Sequence, residues 1–215
     1  MVKKLINNMP CDKDRMDKYK NPTRLPAVVG KDAPQQFKDR FQFRYNTVES
    51  KALGHIGCFG SHIKALNKIV IENLKNVLVL EDDSSDITKL PTGLKDYPHA
   101  VYLGGWIVKP KIKDIRSPVN KNNFHKGINK IDYDKFRVLS TRAYFVPNKE
   151  EAKRMLDIIN KAPKLKNVDI FFSNNEMIKY FYYPAVSLQT PDLVSRIVGK
   201  KPYGSAPHND PKKFY

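Results

Sequence analysis

Sulfur is scarce in this chain. Cys11 and Cys58 are its two cysteines in 215 residues. Two thiols cannot build a disulfide framework, and although a single bridge stays open, reduced thiols fit an intracellular protein. No apolar run approaches the ~20 residues that cross a bilayer. The opening MVKKLINNMPCDKD is basic but has no apolar stretch behind it, so it does not read as a signal peptide. With neither signal peptide nor anchor in this chain, a cytoplasmic protein is expected, unless an anchor lies outside it. Acids are also short: 22 Asp and Glu against 39 Lys and Arg leave a net charge of +17. Such a surplus favours an anionic partner, whether nucleic acid, membrane surface, acidic glycan or nucleotide diphosphate. The lysines are scattered, however, and dense only at 109–113 and 200–213, which also fits a plain solvated surface. Internal repeats and low-complexity segments are absent.

What is present is a folded composition, 40% hydrophobic with 11 Tyr and 11 Phe, at a length suited to one domain over 1–215. Residues 2–6 and 24–29 read as short strands, the second closed by Gly30, with one or two helical turns between them at 12–20. The aromatic and charged stretch 32–49 has no clear period. Ile56, Phe59, Ile63, Leu66 and Val70 recur at spacings of three and four and define a helix. Gly57 and Gly60 stand near its expected start and would admit a close-lying backbone or ligand. Residues 76–80 form an unbroken β-branched-rich run, the pattern of a strand buried on both faces of a parallel sheet, and Glu81-Asp82-Asp83 follows it directly. Further strands are expected at 100–103, 136–146 and 185–188. Helices are expected from Asn148, where Glu151 three residues on suggests a capping box, and over 169–182. Residues 106–135 read as a surface excursion and 190–215 as an irregular C-terminal wrap. Alternating strands and helices imply an α/β class, with a mostly parallel central sheet flanked by helices. Ligands of such sheets bind beyond the carboxyl ends of the strands. That places functional weight after Ile6, on the triplet, and on Gly104 and Gly105.

Three adjacent carboxylates repel one another, and a hard divalent cation would offset the repulsion. A solvated turn or a helix start would also accommodate them. A cation held by one or two carboxylates shares its remaining positions with waters and substrate phosphates. A metal that bridges a departing diphosphate is what glycosyl transfer from a nucleotide sugar requires. Ser61 and His62, read as lying near a helix start, are candidate donor-site residues, or a cap and a satisfied core histidine. Arg15 is a candidate partner for a phosphate, or a surface arginine.

The run Gly54-His-Ile-Gly57-Cys58-Phe-Gly-Ser61-His62-Ile-Lys-Ala65-Leu66, followed by Val77-Leu-Val-Leu-Glu81-Asp82-Asp83, resembles the core signature of glycosyltransferase family 25. That family includes lipopolysaccharide and procollagen galactosyltransferases. Weaker matches follow in order along the chain: Ile6-Asn7-Asn8 with Arg15, Pro26 to Lys31, Tyr102 to Gly105, Thr141 to Tyr144, Val168-Asp169, and Gln189 with Ser195-Arg-Ile197. Asn8, Val29 and Ser140 depart from the family's Leu, acid and Gly. The resemblance implies a single domain of the GT-A fold, a divalent cofactor (Mn²⁺ or Mg²⁺), a UDP-hexose donor (galactose or glucose), a glycan or glycoprotein acceptor, and inversion at the anomeric carbon. It implies Asp83 as direct metal ligand, with Glu81 and Asp82 facing the ribose and the donor sugar, and offers His208 as a further ligand from late in the chain, where a plain tail residue is the other reading. It implies Asp169 as the base that deprotonates the acceptor, where the residue type alone also suggests a helix cap. Gly104 and Gly105 would line the donor site. The basic residues of 106–135 are candidates to meet an acidic glycan.

Two other classes compete. A basic nucleic-acid-binding protein would interleave aromatics with cations, as Phe37, Arg40, Phe41, Phe43, Arg44 and Tyr45 do, but it leaves the strand-to-triplet junction unexplained. A metal-dependent nucleotidyltransferase or phosphohydrolase would use carboxylates at strand ends without needing the Gly57-to-His62 pattern. The family resemblance favours the transferase, with no nucleic acid among its partners.

Overall fold

The computed structural model describes residues 2–9, 12–43, 47–110 and 124–187. Its elements in chain order are β1 (Lys3–Asn8), β2 (Pro22–Pro26), α1 (Gln35–Lys38), α2 (Glu49–Ile71), β3 (Val77–Glu81), β4 (Val101–Tyr102), β5 (Trp106–Val108), β6 (Gly127–Lys130), β7 (Arg137–Leu139), β8 (Ala143–Val146), α3 (Lys149–Lys161), α4 (Val168–Asn174) and β9 (Tyr180–Tyr183). Short 3₁₀ segments occupy Lys13–Met16 and Gly30–Asp32.

Seven strands form one mixed sheet in the order β2-β1-β3-β8-β4-β9-β6, and β5 pairs with β7 in a separate ribbon. β2, β1 and β3 run parallel, as do β4 and β9, while β8 and β6 run against their neighbours. The α/β class and the largely parallel sheet therefore stand, with an antiparallel strand set at its centre. The helices pack on one face, where Leu5, Val77, Val79, Tyr144 and Val146 meet Phe59, Leu66, Met155 and Phe172. On the opposite face Ile6, Leu78, Leu80 and Phe145 are covered by Tyr19, Ile87 and Leu94 from the connections around β2 and after β3. β3 is thus buried on both sides, which is why its sequence is apolar without alternation.

Several expected elements fall differently. The helix carrying Phe59 and Leu66 begins at Glu49, so Gly57, Gly60, Ser61 and His62 lie in its middle. The close approach that Gly57 permits is to backbone. A Cβ there would stand 2.5 Å from the Val28 carbonyl, and one on Gly30 would stand 1.9 Å from that of Leu53. This contact presses the chain after β2 onto α2. The stretch 136–146 is two strands rather than one. Ser140 breaks it with φ of 110°, a conformation that suits the glycine it replaces in the family pattern. Its hydroxyl accepts from the Arg142 backbone N–H at 3.2 Å, which offsets part of the strain. The helix expected over 169–182 stops at Asn174, and Tyr180–Tyr183 is a strand, as its aromatic run suits. Residues 185–187 form no strand; Val186 and Ser187 instead donate to the Leu103 carbonyl at the end of β4. The 106–135 excursion contains β5 and β6, one in each sheet, with 111–123 outside the described residues. The wrap at 190–215 also lies outside them.

Asn148 caps α3, its Oδ1 accepting from the Glu151 N–H at 2.9 Å. Glu151 does not complete a reciprocal box. Its buried carboxylate accepts from the Ala100 N–H at 3.0 Å and from Arg154 at 2.8 and 2.9 Å, tying α3 to the start of β4. Burial works to raise its pKa, but the hydrogen bonds from Arg154 and Ala100 outweigh it, and the net direction is down. Replacing Glu151 with Ala strands the Ala100 N–H and should cost roughly 1–3 kcal/mol in urea unfolding at neutral pH. A lowered folded pKa stabilises above the unfolded value. The deficit of Glu151→Ala relative to wild type should therefore shrink as pH falls below about 4.3.

Candidate active site

β1 and β3 are parallel neighbours in a register that sets Asn7 opposite Glu81. Successive side chains of a strand point to opposite faces. Glu81 therefore turns toward the helices and Asp82 toward the other face, and the two meet different surroundings.

On the helix side, Glu81 Oε1 accepts from Thr141 Oγ1 at 2.9 Å and lies 3.3 Å from His62 Nε2. His62 is wholly buried, and its Nδ1 is 3.0 Å from the Tyr144 hydroxyl. Burial pushes the Glu81 pKa up, but the His62 hydrogen bond and charge, with Thr141 and Arg142, bring it below the ordinary carboxylate value. On the opposite face, Asp82 Oδ2 accepts from Asn8 Nδ2 at 2.9 Å and Oδ1 from Arg15 Nη1 at 3.2 Å. Asn8 is fully buried. It also donates to the Asp12 carbonyl at 2.7 Å and accepts from Arg24 Nε at 2.7 Å. Desolvation leaves the Asp82 pKa above its usual value despite Arg15 and Asn8.

The acidic residues continue into a turn held from beneath. The Tyr19 hydroxyl lies 2.9 Å from the Glu81 carbonyl and 2.8 Å from that of Ser84. Ser84 Oγ donates to the Arg142 carbonyl at 2.7 Å, which also accepts from the Glu81 N–H at 2.8 Å. Asp83 sits in this turn with its Oδ1 shut off from solvent. The mutual repulsion expected of the triplet is thus relieved largely by geometry, because alternation separates the first two acids and each has protein donors. Among the described residues, the ligand-type atoms that converge within 4.8 Å are those of Cys58, His62 and Glu81, not those of the three acids.

The other sequence candidates distribute unevenly. Arg15 reaches the site and faces Asp82. Ser61 does not stand at a helix start, so no ring of free N–H groups surrounds it. Its hydroxyl donates to the Gly57 carbonyl and accepts from the Val28 N–H, each at 2.8 Å, and so fixes the loop after β2 against α2. The same correction applies to His62, which lies mid-helix and holds Glu81. Asp169 lies in the first turn of α4, and its Oδ1 accepts from the Ile170 N–H at 2.8 Å, a cap-like contact. Burial raises its pKa above the ordinary value; the Ile170 N–H opposes this, and the charge of Glu81 adds to it. A Cβ on Gly104 would meet the Ser187 carbonyl at 2.5 Å, and one on Gly105 that of Leu139 at 2.7 Å. What crowds these glycines is this chain's own backbone, although both line a small cleft with Tyr102 and Tyr182. His208 lies outside the described residues. Of the aromatics that suggested a nucleic-acid stripe, Phe37 and Phe41 pack edge-on against Phe59, and Arg40 donates to the Ala162 carbonyl at 2.8 Å. Arg44 and Tyr45 are outside the described residues.

Sequence reasoning missed Asn7 as a separate feature. Its side chain is 7% exposed, and neither its amide nitrogen nor its oxygen meets a hydrogen-bond partner among the described residues. A buried amide without partners is costly and is rarely left so unless a ligand or ordered water serves it. An amide in the residue after a strand's last apolar position was the available signal.

Fold and site together define an α/β domain with its acidic groups gathered beyond the carboxyl ends of adjacent parallel strands, where enzymes of this class bind ligands. The comparison with family models is more specific. The model described as glycosyltransferase family 25 (LPS biosynthesis protein) matches residues 3–172. The chain belongs to glycosyltransferase family 25 and is a glycosyltransferase. A search of the curated proteins finds no match. No described helix is long and apolar enough to cross a membrane.

Replacing Tyr19 with Phe removes the hydroxyl that bridges two buried carbonyls under the acidic turn. We expect a loss of about 1–3 kcal/mol in urea unfolding, with the circular dichroism of the folded state unchanged.

Proposed function

We propose that this family member is a metal-dependent, inverting glycosyltransferase of the GT-A type. It would move a hexose, galactose or glucose, from a UDP-sugar to a glycan or glycoprotein acceptor. The observation that carries this reading is the β1–β3 edge. There an unsatisfied buried amide, Asn7, stands beside two separately held carboxylates and leads to a third in the turn.

The chemistry of that edge fits a hard cation. Asp83, in the turn that the Ser84 N–H closes on the Glu81 carbonyl beyond the strand end, is the proposed protein ligand, in keeping with an ion that completes its shell with waters and diphosphate oxygens. Mn²⁺ or Mg²⁺ bound there would offset the charge that develops on the departing diphosphate. Glu81 and Asp82, held by His62 and Thr141 and by Asn8 and Arg15, would orient the ribose and the donor sugar. The donor and acceptor faces of Asn7 complement an imide such as that of uracil. Gly104 and Gly105 would border the donor from the end of β4. Asp169 is the proposed base. Its desolvated carboxylate is more basic than an ordinary one, which suits it to taking the acceptor's hydroxyl proton near neutral pH.

Two variants test the assignment. Asp83→Ala should weaken Mn²⁺-dependent UDP-sugar binding in calorimetry by more than the ~10–100-fold typical of losing an outer-shell partner. An unchanged titration removes Asp83 as the ligand. Asp169→Asn should bind donor as wild type does but lose turnover. The acid limb of the wild-type rate profile should lie above the ~3.9 of a free aspartate, since activity needs the ionised form and its pKa is raised. Full activity of Asp169→Asn rules out the base.

A further inference from the structure

We propose that Cys58, His62 and Glu81 form a second cation site, selective for borderline divalent ions of the Zn²⁺ class and distinct in ligand chemistry from the hard-cation site at Asp83. Cys58 and His62 are four residues apart on α2 and so share one helical face, while Glu81 comes from the end of β3. The thiol, imidazole and carboxylate ligand atoms lie within 4.8 Å of one another. With metal bonds of ~2.0–2.3 Å, the ligand atoms of a tetrahedral site stand roughly 3.3–3.8 Å apart. The imidazole–carboxylate edge is already at 3.3 Å. An S···N or S···O edge of such a site is roughly 3.5 Å, so the sulfur needs to close by about 1.3 Å at most, within the reach of a χ1 adjustment.

The surroundings are those of a ligating histidine. Imidazoles that bind metal through one nitrogen anchor the other to a fixed partner, which sets tautomer and ring orientation. Here Nδ1 is 3.0 Å from the hydroxyl of Tyr144, itself fully buried, and Nε2 is turned toward Glu81. The carboxylate is oriented in turn by Thr141 Oγ1 at 2.9 Å. Three protein ligands leave one position open, and the Glu81 side chain, 29% exposed, marks the side from which water or a small ligand enters. Sulfur and imidazole nitrogen favour Zn²⁺, Co²⁺ or Cd²⁺ over Mg²⁺ and Mn²⁺, which prefer oxygen. Glu81 is shared with the acidic turn. An ion held here would withdraw it from the donor edge and inhibit transfer, a consequence that rests on the proposed function, whereas the binding itself does not.

The test uses the full chain, stripped of metal and titrated with Co²⁺ in the absence of nucleotide, so its outcome is independent of the transferase reading. A thiolate-to-cobalt charge-transfer band in the near ultraviolet, with the visible bands of four-coordinate cobalt, is expected, and both should vanish with EDTA. Cys58→Ser should abolish the charge-transfer band, and His62→Gln should weaken Co²⁺ binding at least about tenfold. Cys11→Ser should retain both. Absence of the band in wild type, its persistence in Cys58→Ser, or its loss in Cys11→Ser overturns the assignment.

Discussion

A carboxylate at the end of a buried strand loses water on several sides at once, and protein donors have to replace it or the group will not stay ionised. That constraint organises the carboxyl edge of this sheet. Strand alternation sends Glu81 to the helix face and Asp82 to the other, and each finds its own donors: His62 and Thr141 for one, Asn8 and Arg15 for the other. The donors come from α2, from the entry to β8, from β1 and from the 3₁₀ segment after β1. The acidic edge is therefore also where distant parts of the chain are fastened together.

The same logic explains which groups are indirect. Asn8 stands where the family pattern has leucine, and it satisfies an acid, a backbone carbonyl and an arginine at once. Ser61 and the close approach of Gly30 to Gly57 hold the chain after β2 on α2, which fixes the height of His62 beneath Glu81. None of these contacts needs a ligand. Asn7 is the exception, a buried amide directly beside Glu81 that meets no hydrogen-bond partner among the described residues.

Much of the fold was legible because its signals are local. The apolar run before Glu81, the three-and-four spacing around Phe59 and the Asn148 cap each depend on residues close in sequence, and each element is present. The misplacements arose where a tertiary contact outweighed a local preference. Gly57 suggested a helix start but is a mid-helix contact with the Val28 carbonyl. The break at Ser140 was hidden because a non-glycine residue adopts a positive φ there and recovers hydrogen bonds with Arg142. Tyr180–Tyr183 was absorbed into a helix because aromatic residues fit either period over so short a run, and pairing with β4 and β6 selects the strand.

By itself the sequence determined the α/β class, the strand that delivers the acidic triplet and, through the Gly57-to-His62 and Glu81-to-Asp83 signatures, the family. Those follow from residue order, because hydrophobic period and motif spacing are properties of neighbouring positions. Only the tertiary structure decided what each acid faces. Whether Glu81 meets an imidazole, Asp82 a guanidinium or Cys58 a carboxylate depends on strand register and helix height, which are set by packing between segments far apart in the chain.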